Sequence, residues 1–91
     1  MIRNETNKSD ADTLALSALA WILSDESRAQ RLLGMTGLTP DELRGGLGDP
    51  ALLAAGLRFL EAWEPDLVAC ASDLGASPSD LVEARRKLEN D

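Results

Sequence analysis

Gly37-Leu38-Thr39-Pro40-Asp41-Glu42-Leu43 is a helix stop followed at once by a helix start. Gly37 supplies the left-handed cap that ends one helix. Thr39 is placed to accept a backbone N–H, and Pro40 takes the first helical position, where its missing N–H costs nothing. Glu42 closes a capping box, and Leu38 can staple onto Leu43. Gly75-Ala76-Ser77-Pro78-Ser79-Asp80-Leu81 repeats this grammar 38 residues later. Two joints of this kind, each passing from helix to helix with no room for a strand, point to an all-α fold. Duplication of one helical hairpin and convergence on a tight way of joining two helices both produce such a repeat.

Upstream of the first joint, helix one is expected from Ser9, which stands in capping-box spacing with Asp12, to about Ser24. Residues 1–8 are polar and without apolar period, which reads as a disordered tail before a single helical domain over residues 9–91. The run Leu14-Ala15-Leu16-Ser17-Ala18-Leu19-Ala20-Trp21-Ile22-Leu23 is apolar on nearly every side and leaves only a strip at Ser17 and Ala20 for water. Such a helix is central in its domain or covered by another chain. On a helical wheel Leu14, Ala18, Trp21 and Ile22 make one seam; Leu16, Leu19 and Leu23 make a second, which is the candidate interface.

Helix two is expected from Ser24-Asp25 to Thr36, with Ala29, Leu32 and Leu33 inward and Arg28 and Arg31 outward. The short third helix dissolves at Gly45-Gly46 and Gly48. Asp49-Pro50 then opens helix four, with Leu52, Leu53, Gly56, Leu57, Phe59, Leu60 and Trp63 on one side and Ala54, Arg58, Glu61 and Ala62 on the other. Gly56 costs a helix up to about 1 kcal/mol relative to Ala, which suggests a bulky neighbour packed close, with Trp21 the expected one. Helix five runs from Pro65 to Leu74 and helix six from Pro78 to about Leu88. The expected architecture is a compact bundle of five to six short helices joined by Gly caps and Ser/Thr-Pro starts, with helix one central.

Composition agrees. A chain of 91 residues has room for one core, and its 44% apolar residues are dominated by helix-favouring Leu and Ala. The longest apolar stretch, Leu14 to Leu23, is half the roughly 20 residues a membrane span needs. The start, Met1 to Lys8, lacks the apolar core of a signal peptide, so a cytoplasmic protein is expected. A lone Cys70 cannot form an internal disulfide; beside Leu67, Ala71 and Leu74 it reads as a buried small hydrophobe. Of the sixteen acids behind the net charge of −7, ten fall at expected helix starts: Asp10, Asp12, Asp25, Glu26, Asp41, Glu42, Asp49, Glu64, Asp66 and Asp80. There they complement the helix dipole, so most of the acidity serves structure.

The residue inventory removes much chemistry. With no His and one Cys, Ser-His-Asp and Cys-His nucleophile systems, His-containing zinc sites and all-Cys zinc sites cannot be built within one chain. Carboxylate pairs such as Glu61 and Glu64 read as solvated surface charge. Gly45, Gly46 and Gly48 lack the preceding strand and following Lys-Ser/Thr of a phosphate loop. No catalytic, cofactor-binding or metal-binding residue is assigned, and no enzymatic activity is expected. The stretch 66–88 does match the apolar frame of a DNA-binding helix-turn-helix, through Ala71, Leu74, Gly75 and Leu81, with Arg85, Arg86 and Lys87 further along. Acids at the start of its second helix and the negative net charge oppose phosphate contact, so no nucleic-acid partner is expected.

The order of Ala18-Leu19-Ala20-Trp21, Thr36-Gly37-Leu38-x-Pro40-x-Glu42-Leu43, Asp49-Pro50-x-Leu52-Leu53, Phe59-Leu60 and Leu74-Gly75-x-x-Pro78 resembles a bacterial domain-of-unknown-function family, number three-five-seven-two, over roughly residues 11–88. The resemblance implies a small helical fold and no assigned activity. The expected function is a small protein-interaction or assembly module, with another protein or a second copy of the chain as partner; a helix-turn-helix DNA binder is the alternative.

Overall fold

The computed structural model describes residues 7–90. Among them are six helices and no strand: α1 Asn7–Leu23, α2 Glu26–Thr36, α3 Pro40–Gly45, α4 Pro50–Glu61, α5 Glu64–Leu74 and α6 Pro78–Glu89. The all-α bundle expected from the sequence is the observed architecture. α1 begins at Asn7, two residues ahead of the start expected at Ser9, and so takes in Asn7 and Lys8. The rest of the expected tail, residues 1–6, lies outside the described residues.

Both Gly-to-Pro joints form as their letters require. Gly37 and Gly75 take φ of 75° and 70°, the left-handed region that side chains avoid. At α3 the Thr39 hydroxyl accepts from the Glu42 N–H at 3.1 Å while Glu42 Oε1 accepts from the Thr39 N–H at 2.9 Å. Ser77 and Asp80 make the same reciprocal pair at α6, at 3.2 and 3.0 Å. Each pair satisfies two backbone donors that a helix start leaves orphaned. Asp25 and Asp49 cap α2 and α4 with single bonds.

α1 packs against α2, α4, α5 and α6, and α4 packs in turn against α6. The contact face of α1 is made largely of small residues: Ala11, Ala15 and Ala18 are buried together with Leu19 and Ile22. Small side chains there let the axes of neighbouring helices come close. Gly56 of α4 faces α1 closely, and a Cβ there would lie 3.3 Å from Leu19 Cδ1 and 3.9 Å from Ile22 Cδ1. The close approach expected at Gly56 is thus present, but Leu19 and Ile22 make it and Trp21 does not.

Trp21 instead ties α1 to α2 and α5. Its indole N–H donates to Asp73 Oδ2 at 2.6 Å, and the Arg28 guanidinium stacks 3.6 Å from the ring centroid. The same guanidinium donates to the Trp21 carbonyl at 3.2 Å. Arg28, expected to face water, is therefore half-buried at a joint between helices. Ala54 likewise departs from the expected outer face of α4 and is buried, because α6 packs over that flank.

Candidate interaction surface

The chemistry-bearing side chains sit in places that explain them structurally. Cys70 is fully buried, and burial first, then the Asp73 charge, pushes its thiol up to about 11. A thiol held protonated in this way is a packing group and a poor nucleophile. Among the described residues no cluster of three or more His, Cys, Asp or Glu side chains is arranged to hold a metal ion. No helix among them is long and apolar enough to cross a membrane.

Both arginines of α6 face carboxylates. Arg85 Nε donates to Glu61 Oε2 at 2.5 Å and Arg85 Nη1 to Glu89 Oε1 at 2.6 Å. The second oxygen of Glu89 accepts from Arg58 Nε at 2.5 Å, so the chain Glu61–Arg85–Glu89–Arg58 laces α4 to α6. The hydrogen bond from Arg58, reinforced by Arg85, holds the Glu89 carboxyl below the usual range. Arg86 faces Glu83 at 3.7 Å. The would-be reading helix therefore offers a phosphate no cation without a nearby acid, apart from Lys87.

The second seam of α1 splits. Leu19 is 1% exposed and belongs to the core, so it is not available to a partner; α1 approaches α4 so closely at Gly56 that the whole side chain is enclosed. Leu23 is half-buried against the core. Leu16 is 44% exposed. Thr13, Leu16 and Ala20 are exposed and Leu23 half-buried, at helical spacings of three, four and three, so they form one stripe along α1. Ser17, expected on the watery strip, is half-buried instead. Beside the stripe is a shallow groove of about 200 Å³, lined by Asp12, Thr13, Leu16, Leu47, Gly48 and Leu53.

Trp63 is the exposed residue that the periodicity reading missed. α4 ends at Glu61, and Trp63 turns extended, with φ −140° and ψ 96°, as the N-cap of α5. Leaving the helix takes it off the apolar stripe of α4, and it ends 55% exposed with no side-chain capping bond. Pro65 carries the signal, because a proline is favoured in the first turn of a helix and so marks a new helix start immediately after Trp63. Residues 8–91 match the family described as Protein of unknown function (DUF3572). The chain belongs to that family. No curated protein and no solved structure matches it. Among the described residues of the DUF3572 domain the exposed large apolar side chains are Leu16, Met35, Trp63 and Val68.

Proposed function

We propose that the DUF3572 domain is a small protein-interaction or assembly module without catalytic activity, and that it associates with a second copy of itself through the exposed stripe of α1. The observation that carries this is Leu16, 44% exposed in the middle of a helix that packs against four others, and bordering a groove with Leu47 and Leu53. Helix propensity does not require an apolar residue there, since Lys or Glu would serve about as well. A two-fold pairing would bring the Leu16-Ala20-Leu23 stripes of two copies together. Each fully buried leucine contributes about 1.5–3 kcal/mol before the cost of association, so a stripe this short supports a weak dimer.

DNA binding through residues 66–88 is the less supported reading, because Arg85 and Arg86 already face Glu61, Glu89 and Glu83 and the chain carries a net charge of −7. Sedimentation of the wild type and of Leu16→Lys over a wide concentration range tests the assembly reading.

A further inference from the structure

We draw no further inference here: the strongest candidate, the exposed corner at Trp63 between α4 and α5, is an unpartnered apolar surface and nothing in the structure shows what covers it.

Discussion

Leu19 of α1 lies so close to Gly56 of α4 that a Cβ on residue 56 would stand 3.3 Å from Leu19 Cδ1. In an open helix Gly→Ala gains about 1 kcal/mol from propensity. Here the squeeze on Leu19 consumes that gain, so Gly56→Ala is expected to leave the denaturant midpoint unchanged or lower it. In a Leu19→Ala background the same substitution is expected to stabilise, with a coupling of about 0.5 kcal/mol or more in a double-mutant cycle. A full propensity gain in the wild-type background would show that the two helices are not pressed together at this point.

The two capping boxes make matching predictions. Thr39→Ala and Ser77→Ala each remove an acceptor for an orphan N–H and break a reciprocal pair. Each is expected to cost about 1 kcal/mol, read as a lower urea midpoint at constant slope. Unchanged midpoints would mean that α3 and α6 do not depend on these caps.

These joints are the most legible part of the chain, because a cap is local: Gly37 donates back to the Leu33 carbonyl, and Thr39 and Glu42 bond to each other three residues apart. The faces of long apolar helices are less so. Leu14 to Leu23 reads as two seams on a wheel, but Leu19 leaves the second seam for the core, where α4 offers Gly56 opposite it. The apolar period of α4 extends in the letters to Trp63, two residues beyond the end of the helix at Glu61. Arg28 looked like a surface residue until the turn after Leu23 brought it onto the face of Trp21. Long-range partners of this kind leave no mark in local spacing.

Cys70 gives the alkaline limb of stability. Burial pushes its thiol up from 9.0 to about 11, so the folded protein keeps a proton that the unfolded chain gives up in between. Its contribution is complete below the lower value and is lost as pH rises through the higher one. Unfolding midpoints are expected to fall across that window in the wild type and to fall less in Cys70→Ala. Thiol-specific reagents at neutral pH should react only as fast as the domain opens. Rapid labelling of the folded protein would contradict the burial of this side chain.

Arg85 should fail as a DNA contact. Labelled duplex of random and genomic sequence is expected to show no binding at micromolar protein in low salt, where phosphate attraction is strongest. Salt-sensitive binding lost in Arg85→Ala and Arg86→Ala would overturn this and restore the helix-turn-helix reading of residues 66–88.

Sedimentation over a wide concentration range tests assembly through the α1 stripe most directly, with two lysine variants separating surface from core. Leu19, 1% exposed, is expected to unfold the domain as Leu19→Lys, since an unpaired charge would enter the core. Leu16, 44% exposed, is expected to accept lysine with an unchanged melting temperature. The account predicts a wild type whose mass rises with concentration and a folded Leu16→Lys that remains monomeric throughout. A wild type that stays monomeric at the highest concentration, or a Leu16→Lys variant that associates as the wild type does, would contradict it.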